Sequence, residues 1–165
     1  ESIQRWLYTR FVEATYRGKP LSSDARLAVL MIAAMSAERV HLPEQLLPTT
    51  DSDQDLLSAQ LEEASRFVPA LGLVKRKSST GHCWGIAHVP LSRHLLEATS
   101  EDPTVLQELH LEQAMGSVRL RLHLLGLVVQ SPAMAQDRFR ELAIRFAQSI
   151  LKLDRTGHQE FARGS

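Results

Sequence analysis

A single cysteine, Cys83, stands in the 165 residues. It excludes an internal disulfide framework and every all-cysteine zinc or iron–sulfur site within one chain. No long apolar run is present. The longest, Leu27 to Met35, falls far below the roughly 20 residues that span a bilayer. No secretory leader pattern is visible, so the expected place is the cytoplasm, away from membranes. Neither sign of charge is in excess, with 19 Lys plus Arg against 19 Asp plus Glu. That balance argues against a general polyanion binder and leaves room only for a local patch. What remains is ordinary globular material, 44% hydrophobic and 23% charged. A compact chain of this size buries roughly two thirds of its unfolded surface, enough for a real core.

Helical spacing dominates the pattern. Ile3, Leu7, Phe11 and Ala14 set a first helix over Ser2 to Tyr16, stopped by Gly18, Lys19 and Pro20. Ser22, Ser23 and Asp24 offer N-cap residues for a second helix, Ala25 to Ala37. It is apolar nearly all round, so it is expected at the centre of the core. Pro43 suits the first turn of a short helix to Leu47. After the polar break from Pro48 to Asp53, a longer helix runs to Pro69 with Leu57, Leu61, Ala64 and Val68 on one stripe. The character then changes. Leu71 to Lys77 reads as a strand, Ser78 to Gly81 as a polar turn, and Cys83 to Val89 as the returning strand. Pro90 ends this hairpin, and Leu91 to Ala98 is a short helix.

Pro103 opens the last part. Val105, Leu109, Glu112, Met115, Val118, Leu122, Leu125 and Val129 share a face, with one charged interruption at Glu112 and with Gly116 and Gly126 able to bend or divide that helix. Ser131 and Pro132 break it. A final helix spans Ala133 to Leu153, with Phe139, Leu142, Phe146, Ile150 and Leu153 inward, and fraying is expected after Asp154.

The predicted fold class is therefore mainly α: a winged helix-turn-helix core with one β-hairpin and flanking helices. Three helices form the core and a two-stranded wing packs against them, since an isolated hairpin is marginal. Residues 1–20 read as a lid-like N-terminal helix, 22–98 as the winged-helix domain and 103–155 as a C-terminal helical arm.

The stretch Cys83-Trp84-Gly85-Ile86-Ala87-His88-Val89-Pro90-Leu91, with the leucine-bearing helix after it, resembles the end of the winged-helix region in STAND-type signalling NTPases. That superfamily includes apoptotic, immune-receptor and bacterial regulatory ATPases. The resemblance covers residues 22–98. It implies that His88 is the histidine that approaches the phosphates of bound ADP and holds a closed, inactive state. Ala87 stands where some members carry Met, and Val89 where they carry Asp; Pro90 and Leu91 are similar to a His-Pro-Leu variant with one residue added.

A Walker A loop needs Gly-x-x-x-x-Gly-Lys followed by Ser or Thr. The sole Gly-Lys step, Gly18-Lys19, has Glu13 at the first glycine position and Pro20 after the lysine. No intrinsic catalysis is expected, and no cofactor in this chain, though ADP or ATP belongs to the parent protein that the resemblance implies. The expected role is regulation of a larger signalling NTPase by packing on its adjoining nucleotide-binding domain. A protein-interaction or homo-oligomerisation module is the alternative, and a DNA-binding regulator a further one.

Three residue groups bear on these alternatives. Lys75, Arg76 and Lys77 make the wing basic, but Asp53, Asp55, Glu62 and Glu63 on the helix in the recognition position would repel phosphates. Specific nucleic-acid binding is therefore not expected. His82, Cys83, His88 and His94 lack the spacing of a compact metal set, so no metal site is expected. Trp84 is expected to cap the core, with its indole N–H needing a partner. An exposed Trp6 or Trp84 would mark a protein interface.

Overall fold

The computed structural model describes residues 3–49, 53–67, 69, 72–78 and 81–164. The expected break at Thr50 to Ser52, the stripe position Val68, the strand start Leu71 and the turn residues Ser79 and Thr80 lie outside the described residues. The chain is mainly helical with short antiparallel strands, as its periodicity predicts.

Helix α1 (Ile3–Glu13) buries Leu7 and Phe11. The Gly18 region does more than stop it. Arg17 and Gly18 take φ of 53° and 77°, the paired left-handed geometry of a two-residue hairpin turn. They join β1 (Thr15–Tyr16) to β2 (Lys19–Pro20), a second small hairpin that the sequence pattern does not reveal.

Helix α2 (Ser23–Ala37) is the central element. Ser22 caps it by accepting the Ala25 amide at 3.1 Å, while the Ser22 amide donates to the buried Gln60 Oε1 at 2.9 Å. Its apolar surface has no polar side because five neighbours cover it: helices α3 (Gln54–Phe67), α4 (Val89–Ser100) and α6 (Ser117–Val129), and strands β3 (Leu42–Pro43) and β5 (Gly81–Ile86). A fully buried leucine or isoleucine contributes about 1.5–3 kcal/mol relative to exposure, so this helix is where burial counts most. It ends in a Schellman cap. The Arg39 amide donates to Ser36 O at 2.9 Å and the Val40 amide to Met35 O at 3.0 Å. Arg39 takes the left-handed position with φ 61°, which glycine usually fills.

The expected short helix at Pro43 to Leu47 is corrected. Leu42–Pro43 forms β3, paired with Trp84 and Cys83 of β5, and only a 3-10 turn (Glu44–Leu46) follows. Pro43 is extended, with ψ 140°, and sits on a sheet edge where its missing N–H costs no ladder bond. The sheet around the hairpin is therefore three-stranded, in the order β3-β5-β4, with β4 at Leu73–Ser78. Leu73 faces Ile86 and Lys75 faces Trp84 in the β4–β5 register. The returning strand stops at Ile86, short of Val89, because Val89 and Pro90 already form the first turn of α4.

The apolar face from Val105 to Val129 does not form one helix. Helix α5 (Pro103–Glu108) ends with His110 at φ 57°; a 3-10 turn (Glu112–Ala114) and Gly116 at φ 98° precede α6. Glu108 and Glu112 thus share no helix face, and Glu108 instead pairs with Arg26 at 2.9 Å. Two 3-10 turns, Pro132–Ala135 and Asp137–Phe139, replace the expected start of the last helix. Helix α7 (Arg140–Gly164) packs on α6 and carries its backbone past Asp154, where the sequence predicts fraying. Phe139 and Phe146 are buried as expected.

One buried cluster runs from Leu7 to Phe146. Polar ties cross it. Tyr8 Oη donates to Asp102 Oδ2 at 2.8 Å, and Asp102 Oδ1 also caps α5 through the Thr104 amide at 3.1 Å. Burial, then the bond to Asp102, pushes the Tyr8 phenol above its ordinary range. Arg121 of α6 pairs with Glu38 at the end of α2; burial lowers its pKa, partly offset by that carboxylate. Among the described residues, no helix is long and apolar enough to cross a membrane.

Candidate functional site

Three local features build the end of the hairpin where His88 sits. The Ile86 amide donates to the buried Ser36 Oγ at 2.9 Å, tying the end of β5 to α2. The Ala87 amide donates to Gly72 O at 2.9 Å. Gly72 has φ 69°, and a Cβ there would lie 3.4 Å from Ala87 Cβ and 3.7 Å from His88 Cδ2. Those are ordinary contact distances, so it is the left-handed turn that calls for glycine there.

His88 then becomes the N-cap residue of α4, with φ −116° and ψ 111°. Its carbonyl accepts the Leu91 amide at 3.0 Å and the Ser92 amide at 3.3 Å. Its imidazole makes no capping bond and is exposed. Beside it, Ile86 and Leu95 are buried at 4% and 0% exposure, and Leu91 is half-buried. The backbone at position 88 is thus held on both sides while the ring is open to solvent.

The basic wing is less available than its sequence implies. Lys75 Nζ lies 3.1 Å from Ser58 Oγ, 3.7 Å from Glu62 and 3.9 Å from Glu44. It also sits 5.7 Å from the Trp84 ring centroid. These contacts join the wing to α3 and to the turn after β3. Trp84 is 1% exposed, so it does cap the core, but its indole N–H finds no acceptor among the described residues. The cation over its face is the polar contact it has. Arg76 and Lys77 are exposed, as are Asp53, Asp55 and Glu62 of the α3 region.

His82 is exposed, whereas Cys83 is buried with its Sγ 3.2 Å from Ser78 Oγ. His94 lies on α4 with Nδ1 buried and unpartnered among the described residues. The structure does not gather these three with His88, and no cluster of three metal-ligating side chains occurs among the described residues.

A larger cleft of about 570 Å³ opens between the start of α2 and the end of α6. Leu27, Met31, Leu47, Leu127, Gln130 and Pro132 line it, and none of its described lining residues is titratable. The Gly18-Lys19 step lies in the β1–β2 turn, not at the mouth of a helix as a phosphate-cradling loop does. Sequence reasoning missed both the capture of Lys75 and the glycine beside His88. The Trp84–Lys75 pairing follows from register and was not legible beforehand.

No curated protein and no solved structure matches the chain. The family model described as Novel STAND NTPase 7 matches residues 1–165, extending the similarity well beyond the 22–98 segment that carries the resemblance. With a match over that whole span, the chain belongs to the Novel STAND NTPase 7 family.

Proposed function

We propose that this chain is a non-catalytic regulatory part of a larger signalling NTPase, packing on a nucleotide-binding domain with His88 turned toward bound ADP. The observation that carries the reading is the exposed, uncapped imidazole of His88 on a backbone fixed by Ser36 and Gly72. The elements around it support a winged helix: α2, β3, the 3-10 turn, α3 and the β4–β5 hairpin, with sheet order β3-β5-β4. The N-terminus of α4 adds a dipole that favours negative charge beside the ring. One charge-assisted hydrogen bond to a phosphate is worth about 1.5–3 kcal/mol. That shifts a closed–open equilibrium by about 10- to 100-fold.

The test is ADP release from the full-length parent. His88→Ala accelerates release and raises basal signalling while the fold is retained. His82→Ala, an exposed residue of the wing, changes neither; His94 is a poor control because its Nδ1 is buried. Unchanged release in folded His88→Ala reduces His88 to a structural residue.

A second reading, a protein-interaction or self-association module, draws on α1. Trp6 is 41% exposed beneath the Arg10 guanidinium at 5.6 Å, and Val12 is 38% exposed. Both readings place a protein against this chain. The DNA-binding alternative gains nothing, since Lys75 is engaged by Glu44 and Glu62.

A further inference from the structure

The outer side of β4 is open. Within the order β3-β5-β4, this strand has β5 on one side and no strand on the other among the described residues. It runs for six residues, Leu73–Ser78. In an antiparallel ladder, alternate residues turn their N–H and C=O groups away from the partner strand. The outward groups of β4 therefore have no strand to pair with. Lys75, Arg76, Lys77 and Ser78 are all exposed although they alternate between the two faces, so this part of the edge faces solvent.

The side chains select what can pair there. Lys75 is already held by Glu62 and Glu44, on the face that carries Trp84. Arg76 and Lys77 differ from it: neither forms an ion pair among the described residues. As neighbours on a strand they stand on opposite faces, one cation to each side of the ladder. Val74 is half-buried and shares the face of Arg76.

We propose that the β4 edge takes an extended acidic segment of a partner protein as an added antiparallel strand. In such pairing the main chain supplies affinity and the alternating side chains supply selectivity. Register then defines the segment. Two consecutive carboxylates fall on opposite faces, one beside Lys77 and the next beside Arg76. An apolar residue two positions further on falls beside Val74, so the pattern is acid-acid-x-apolar. Nucleic acid fits this edge less well. It has no peptide ladder to offer, and the exposed Asp53, Asp55 and Glu62 of the α3 region repel its phosphates. The assignment does not depend on the role given to His88.

The experiment titrates the full chain with a blocked peptide, Thr-Glu-Glu-Thr-Val-Thr, at constant ionic strength, read by backbone amide NMR signals and hydrogen exchange. Binding is saturable and slows exchange along β4. Methylating the alternate peptide nitrogens that face β4 removes the ladder, leaves every charge in place and abolishes binding. Arg76→Glu combined with Lys77→Glu weakens binding by about tenfold or more. Both side chains are exposed and without ion pairs, so the melting temperature of that variant stays close to the parent value. A methylated peptide that binds as well as the plain one overturns the proposal. So does binding untouched by the double variant, a short DNA duplex that binds as tightly at the same ionic strength, or the lack of any saturable response.

Discussion

Helices α2 and α7 are held in opposite ways. Helix α2 buries 12 of its 15 residues and meets neighbours on every side. In α7, Phe146 alone is fully buried among the residues whose side chains are described, while Ile144 and Leu151 are 53% and 56% exposed. One helix is a hub and the other is laid on from outside. The difference separates what a helix does for folding from what it offers to partners. A hub has no free face to give away, whereas α7 keeps a basic face and an apolar face outside its core stripe.

The contrast can be broken most forcefully at Leu30, which is fully buried in α2. Leu30→Ala is expected to cost about 2–5 kcal/mol through lost burial and a residual cavity, measured from the urea midpoint. A cost below about 1 kcal/mol would show that α2 is not the hub. An intermediate effect belongs to Tyr8, which ties α1 to the cap of α5. Tyr8→Phe should cost about 1–2 kcal/mol at neutral pH. The folded phenol titrates above its ordinary value, so its stabilisation is fully present below about pH 10 and is lost as pH rises toward the folded value. Unfolding curves should show the gap between the two proteins constant up to about pH 9 and narrowing above pH 10. A gap that widens there would reverse the assignment. The smallest effect is expected at Ile144. Ile144→Ser in this chain should change stability by less than about 0.5 kcal/mol. A larger loss would place Ile144 in the core and erase the difference between the helices.

The same contrast explains what could be read from the residues alone. Helix α7 announces its inward face because Leu142, Phe146 and Ile150 recur at helical spacing. Helix α2 announces only that it is surrounded, since a side chain buried in every direction carries no period. The β4–β5 hairpin was legible because the period changes there. Strand β3 was not: two residues, one of them Pro43, are too few to show alternation, and their pairing with Trp84 and Cys83 is long-range. The division after α5 was hidden because the apolar face continues through Leu109, Leu111 and Ala114, all buried in a turn and not in a helix. The resemblance marks His88 as an expectation, whereas the turn at Gly72 that sets its backbone was not legible, since it depends on pairing between the two strands.

The wing carries one further consequence. The sheet order β3-β5-β4 leaves two edges, and β4 is the longer of them. Lys75, Arg76 and Lys77 stand in succession along it, with Lys75 already held by Glu44 and Glu62. Two copies meeting there would still bring Arg76 and Lys77 of each strand close to those of the other before any backbone bond could form. The opposite edge is a two-residue strand containing Pro43, which has no N–H to donate. Strand-by-strand growth of the sheet from one molecule to the next is thus discouraged at both ends. A basic run on an edge strand thus opposes edge-to-edge pairing, whether or not it ever meets a phosphate.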